Sequence, residues 1–352
     1  MVRAFSARRY LLNGTLATDP WVMSISSFFN SFVGMYVAQS FCHSIIVAMI
    51  ADRALKAWRV ESPEVRQRFR LIAIIFPIVS FPLYQLINPG RSSALFRLGS
   101  LFDINRWLNM EIWGLIPIGL LFLILLGFTA LVFFFQEMVP VLKHTLDSSQ
   151  TDEDLQLLDT GPFLGNAAKT LGIKTPDVVL IEDDEPFIFS ATGKKPAIFV
   201  SSGLTKALDQ GQMEASLAHE MAHIARSRRP LLIMVFILRI IMFFNPVVMV
   251  KFRRAVKDEE KICDDIAVSL TRDPAALVEA LKTFYHTAAK APESAAGKAA
   301  ARDVSLEEHS HNLHLESRIR RLESGPTDAR DGGTVPFIVT LLSAAMINYF
   351  IV

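Results

Sequence analysis

The sequence predicts a mainly α-helical membrane protein that carries a smaller polar region of mixed α+β structure. Three observations point there. Hydrophobic residues make up 51% of the 352 positions and the mean hydropathy is +0.34. Long runs of at least twenty residues, at 21–51, 71–90, 112–136 and 332–352, contain no Asp, Glu, Lys or Arg. The polar residues gather instead in 143–229 and 251–330.

A membrane-spanning helix needs roughly 20 predominantly apolar residues. The first three runs therefore predict transmembrane helices over about 22–51, 71–90 and 112–136, within an N-terminal membrane region 1–140. A fourth is expected at 334–352, after a polar domain 141–333. The first run is too long and starts too late for a cleaved signal peptide, so it reads as a retained helix. A fifth run, 230–250, contains Arg239 and Asn245-Pro246. A charge at the bilayer centre costs roughly 2.5–3.5 kcal/mol, and Pro breaks the helical ladder. This segment is expected to dip into the membrane or to form a hairpin.

Within the polar domain, 177–181, 187–189 and 197–200 read as short strands, with a turn at Gly193-Lys-Lys-Pro196. Helix follows from about Met213. Residues 287–302, rich in Ala, Lys, Gly and Pro, read as a linker, and 315–322 as a short basic helix. The net charge of +1 implies no polyanion partner such as nucleic acid. Two cysteines, Cys42 and Cys263, cannot build a disulfide framework and are expected as free thiols.

The chemistry concentrates at Ala218-His219-Glu220-Met221-Ala222-His223. Helix positions i and i+4 share a face, so His219 and His223 can present imidazoles to one metal ion. Glu220 stands beside that face, placed to polarise a metal-bound water. A catalytic zinc usually takes three protein ligands, and Glu260 is the downstream candidate. Asp264, one turn further, is placed to accept a hydrogen bond from a ligand histidine.

His219-Glu220-x-x-His223 followed by Glu260-x-x-x-Asp264-x-x-Ala267 resembles the gluzincin membrane peptidases. Asn245-Pro246 and Cys263-Asp264-Asp265 are most similar to the family of the BlaR and MecR sensors. Ser202-Gly203-Leu204, Glu214 and Arg318-Ile319 are similar to the HtpX and CAAX prenyl protease family. Where that second family has an Asn-Ala pair, this chain has Phe187-Ile-Phe-Ser190. The resemblance implies a gluzincin-type zinc peptidase domain with one Zn2+ per chain. His219, His223 and Glu260 would be its ligands and Glu220 its general base. His311, His314 and Tyr285 are the candidates for steadying the oxyanion. The implied partners are protein substrates, membrane proteins above all, and the lipid bilayer. A quality-control role is expected, with BlaR-type signalling proteolysis or an inactive membrane scaffold as alternatives. In the sensor family a sensor domain often follows the last helix. This chain ends at Val352, so sensing there would fall to a partner.

Both halves of the metal motif must reach one ion, so 230–250 contributes no net membrane crossing. Arg53, Lys56, Arg59, Arg66, Arg68 and Arg70 then lie on the catalytic side, against Arg91, Arg97 and Arg106 opposite. The positive-inside rule places the catalytic side in the cytoplasm, at a bacterial inner membrane. Neighbours on a helix point about 100° apart, so only one of Glu259 and Glu260 can be a ligand. Glu260→Ala is expected to lose tight zinc and all activity, Asp264→Asn to be intermediate with weakened metal affinity, and Glu259→Ala to retain both zinc and activity. Metal analysis and a proteolysis assay on the three variants check this register.

Overall fold

The computed structural model describes residues 11–12, 15–16, 27–113, 116–139, 156–158, 161–191, 195–227, 230–288, 315–325 and 333–352. The protein is mostly helical with small sheets. Three helices are long and apolar enough to cross a membrane: α1 (Phe32–Ala57), α2 (Pro63–Ile87) and α3 (Ile118–Phe133, running on to Gln136).

α1 and α2 are displaced from the uncharged runs, toward the catalytic side. At 1.5 Å per residue, the 26 residues of α1 extend about 39 Å, beyond a hydrocarbon core of about 30 Å. The helix continues through Asp52 because that carboxylate has partners: Lys251 Nζ at 2.6 Å and Arg254 at 3.5 Å. α2 starts early for the same reason. Pro63 at its first turn has no N–H to leave unpaired, and Gln67 and Arg70 bond to a later helix.

Further along come α4 (Gly161–Leu171), α5 (Gln210–Ser227), α6 (Pro230–Ile241), α7 (Pro246–Thr271), α8 (Pro274–Ala288), α9 (315–323) and α10 (Thr334–Tyr349). One four-stranded sheet, in the order β1-β2-β4-β3, packs against α5. Its strands are β1 (Gln156–Leu157), β2 (Asp177–Ile181), β3 (Ile188–Ala191) and β4 (Ala197–Ser201). β4 pairs parallel to β2 and antiparallel to β3, which leaves β3 on an edge. Ile198 and Val200 on β4 are fully buried against Leu217, Met221 and Ile224 of α5. After β4 the chain turns tightly at Gly203, where an added Cβ would lie 2.2 Å from the Asp184 carbonyl oxygen. Only glycine permits that approach.

The segment 230–250 is a helical hairpin, with α6 and the start of α7 joined at Met242–Asn245. Asn245 caps α7 by accepting from Val247 and Val248 N–H, and its amide bonds Ser44 Oγ at 3.2 Å. Ser44 lies thirteen residues before the end of α1, about 20 Å along it. The hairpin tip therefore reaches deep between the apolar helices. Arg239 is buried with its guanidinium 4.3 Å from the Phe252 ring centre and 5.5 Å from that of Phe133. Such cation–π contacts are strongest when desolvated.

α10 has 16 residues, about 24 Å, and stops before the expected 352. Phe350 and Val352 instead bond the backbone of Leu101 and Phe102, at 2.8 and 2.9 Å. Arg91, fully buried, donates to the carbonyls of Tyr349, Asn348 and Ile351 at the end of α10. A cation there also complements the helix dipole. Gly333 packs on Val65 at the start of α2, while Tyr349 meets Asn88 just past its end. α10 thus runs alongside α2 in the same direction. Leu120, Leu121, Ile124, Phe128 and Leu131 of α3 and Val335, Ile338, Leu342 and Met346 of α10 are exposed. Apolar faces of that extent are suited to lipid.

A tag after Val352 should lie across the membrane from one inserted in the 58–62 connection, because α2 and α10 start on the same side. Protease protection in sealed vesicles reads this, and two tags protected on one side would contradict the arrangement.

Candidate metal centre

α5 is buried on two sides, and its third side meets α7. Leu217, Met221 and Ile224 face the sheet, whereas Ala215 and Ala218 lie against Leu277, Leu281 and Leu315. The remaining face carries His219 and His223, with Nε2 atoms 3.2 Å apart. α7 brings up Glu260, whose Oε2 lies 3.6 Å from His219 Nε2 and Oε1 3.5 Å from His223 Nε2. Four donors at about 2.0–2.1 Å around a tetrahedral ion are separated by roughly 3.3 Å. The observed spacings fit that figure, and the two-His, one-Glu donor set fits zinc.

Each ligand candidate is held from behind. Asp264, fully buried, lies 3.1 Å from His219 Nδ1, which directs Nε2 into the centre. Cys263 Sγ lies 3.5 Å from His223 Nδ1. Burial pushes the Cys263 thiol pKa well up, so the group is a neutral partner. Arg318, from α9, donates to Asp264 through Nε at 2.9 Å and Nη2 at 2.6 Å, and to Glu260 through Nη1 at 3.1 Å. Leu315, Arg318 and Leu322 share one buried stripe of α9. A charge inside an apolar stripe is the sequence signal that could have exposed this residue's role.

Electrostatics follow from these partners. Burial works against ionising Asp264 and Glu260, but Arg318 and the histidines outweigh it. They hold Asp264 well below the usual carboxylate range and Glu260 at about 2. Burial also disfavours the His219 imidazolium. Its hydrogen bonds to Asp264 and Glu260 prevail and raise its pKa to about 9. His223 moves down, through burial and the charge of His219.

Glu220 lines the same 420 Å³ cavity as His219, His223, Glu260 and Arg318. Its walls are the edge strand, through Ile188, Phe189 and Ser190, and the apolar side chains of Leu277, Ala280, Leu281 and Leu315. Among the other expected participants, His311 and His314 lie outside the described residues. Tyr285 lies on α8, and its side chain is outside the described set as well.

Glu259 has partners of its own. It points away from the centre and pairs with Arg226, Nη2 to Oε2 at 2.6 Å, while Gln67 donates to it at 2.7 Å. Glu259→Ala would leave the buried Arg226 without its carboxylate, a loss on the order of 3–5 kcal/mol. Cys263, expected as a free thiol, stands against His223.

Residues 104–276 match the model of the BlaR1 peptidase M56 family. Curated relatives include the protease HtpX homologue of Janthinobacterium sp. (strain Marseille), 33% identical over 36% of this chain and 44% of its own. That of Tropheryma whipplei (strain Twist) is 31% identical over 30% and 36%. A third, from Neisseria meningitidis serogroup C (strain FAM18), is 35% identical over 23% and 29%. The matched stretch spans less than half the length of these relatives. No solved structure matches the chain.

The raised His219 pKa sets a proton and a metal in competition for this imidazole. Divalent-metal binding should release close to one proton at pH 7, and affinity should rise with pH up to about 9. Stability of the metal-free protein should change the opposite way. The raised pKa stabilises the fold fully below pH 6.5, and that contribution is lost as pH rises through about 9. Calorimetry in buffers of different ionisation enthalpy measures the proton count. Binding without proton release would contradict the assignment.

The matches bear out the resemblance read from His219 to Ala267: the chain is similar to both the BlaR-type and the HtpX-type membrane metallopeptidases.

Proposed function

We propose that the chain is a zinc-dependent integral-membrane metalloendopeptidase that hydrolyses peptide bonds of membrane or membrane-adjacent proteins. The observation that carries this reading is the convergence of His219, His223 and Glu260 in one cavity with Glu220, beneath an open strand edge. When bound, zinc supplies a Lewis acid that polarises the scissile carbonyl and makes water acidic. Glu220 takes the proton of the attacking water and returns it to the leaving amine. Asp264 keeps His219 in the tautomer that offers Nε2, and Arg318 holds Asp264 and Glu260 in place. Strand β3, paired on one side only among the described residues, would take an extended substrate along its other edge, as a sheet does when it gains a strand. Leu277, Leu281 and Leu315 form an apolar wall suited to an apolar substrate side chain. His311, His314 and Tyr285 stay the candidates for steadying the oxyanion.

The catalytic side is assigned to the cytoplasm of a bacterial inner membrane, on the excess of Arg and Lys in 52–70. Quality control of membrane proteins is the favoured role, by likeness to the HtpX homologues. Cleavage of a cytoplasmic regulator is the second reading. It is favoured by the family-model match, which covers a longer stretch than the HtpX relatives do. A catalytically inactive scaffold fits poorly with a complete donor set.

Glu220→Gln should keep the metal and lower cleavage of an unfolded membrane protein by about 10²–10⁴-fold, the usual scale of general-base loss. Metal content and cleavage rate are measured on the same preparation. Near-wild-type cleavage would refute the mechanism.

A further inference from the structure

His219, His223 and Arg226 follow one another along α5 at spacings of four and three, so they share one face. α7 answers in the opposite direction with Asp264, Glu260 and Glu259. The first two rungs of this ladder are His219 with Asp264 at 3.1 Å and His223 with Glu260 at 3.5 Å. The third is the two-pronged pair of Arg226 with Glu259, made by Nε to Oε1 and by Nη2 to Oε2 at 2.6 Å. A third helix closes that rung. Gln67 of α2 donates to Glu259 Oε2 at 2.7 Å and accepts from Arg226 Nη2 at 3.3 Å. Gln67 and Arg226 are both buried, so water does not compete for these bonds.

We infer that Gln67, Arg226 and Glu259 are positioning residues for the metal centre, through which the membrane helix α2 sets the geometry of the two ligand-bearing helices. The inference rests on the zinc-site reading above. Glu259 and Glu260 share a peptide bond and point about 100° apart. Pinning the Glu259 carboxylate between α5 and α2 therefore fixes the rotation of α7 at the residue that faces the histidines. Arg226 pins α5 at the same point, one turn beyond His223. Because α2 continues as a membrane span, its packing in the bilayer is tied to the ligand set by one amide side chain.

The test uses the full chain in detergent micelles. Gln67→Met keeps the side chain's length and removes its hydrogen bonds. Arg226→Lys keeps the charge and removes the fork. Zinc affinity is measured by competition with a chelator, coordination geometry by the visible absorption of the cobalt-loaded protein, and folding by circular dichroism. Outer partners of metal ligands typically contribute 10–100-fold in affinity. The expected result is a Kd for zinc raised by about 10–100-fold in folded variants, with altered cobalt bands. Wild-type affinity and unchanged bands in either folded variant overturn the inference, and if one variant does not fold the other decides. A wild-type chain that binds neither zinc nor cobalt sinks the site reading as well, which separates the two failures.

Discussion

The antiparallel contact of α5 with α7 is the constraint on which the rest depends. It lines up His219, His223, Arg226, Glu259, Glu260 and Asp264 along one seam, His219, Arg226 and Asp264 buried and the other three half-buried, with Arg318 inserted from α9. Burying charge is tolerated only when each group is paired and hydrogen-bonded. Three carboxylates face two arginines there, so one negative charge is left over. The hydrogen bonds of His219 to Asp264 and Glu260, which raise its pKa, set an imidazolium against that charge. A divalent cation would answer the same charge, so proton and metal compete for one place.

This seam explains why α1 and α2 reach past the ends of their uncharged runs on the side of the metal centre. α1 and α2 continue past the apolar layer so that Asp52, Gln67 and Arg70 can meet Lys251, Glu259 and Asp258. The turn between α6 and α7 brings α7 back from among the apolar helices to the metal centre. Asn245 caps its second arm and bonds Ser44 of α1. The centre is thus anchored to the spans at Ser44, Asp52, Gln67 and Arg70, and no single interhelix loop determines its geometry.

Much of this was legible in sequence. The His219 and His223 pair follows from helical spacing, and Glu260 with Asp264 from the same rule applied again. The strands 177–181 and 197–200 are apolar enough to be read directly, and the observed β2 and β4 differ from them by at most one residue. What could not be read are contacts between residues distant in the chain. Gln67 lies 192 positions from Glu259, and Arg318 lies 54 from Asp264. Helix ends were misplaced for a related reason. An absence of charge marks the lipid layer, whereas Asp52 and Arg70 sit inside helices because protein partners satisfy them.

The most direct test of the central claim is X-ray absorption at the zinc edge of the purified, zinc-loaded full chain. A centre built by His219, His223 and Glu260 predicts a first shell of nitrogen and oxygen only, at about 2.0–2.1 Å, with imidazole scattering beyond it. A sulfur neighbour at about 2.3 Å would mean that Cys263, beside His223, is a ligand, and would contradict the account.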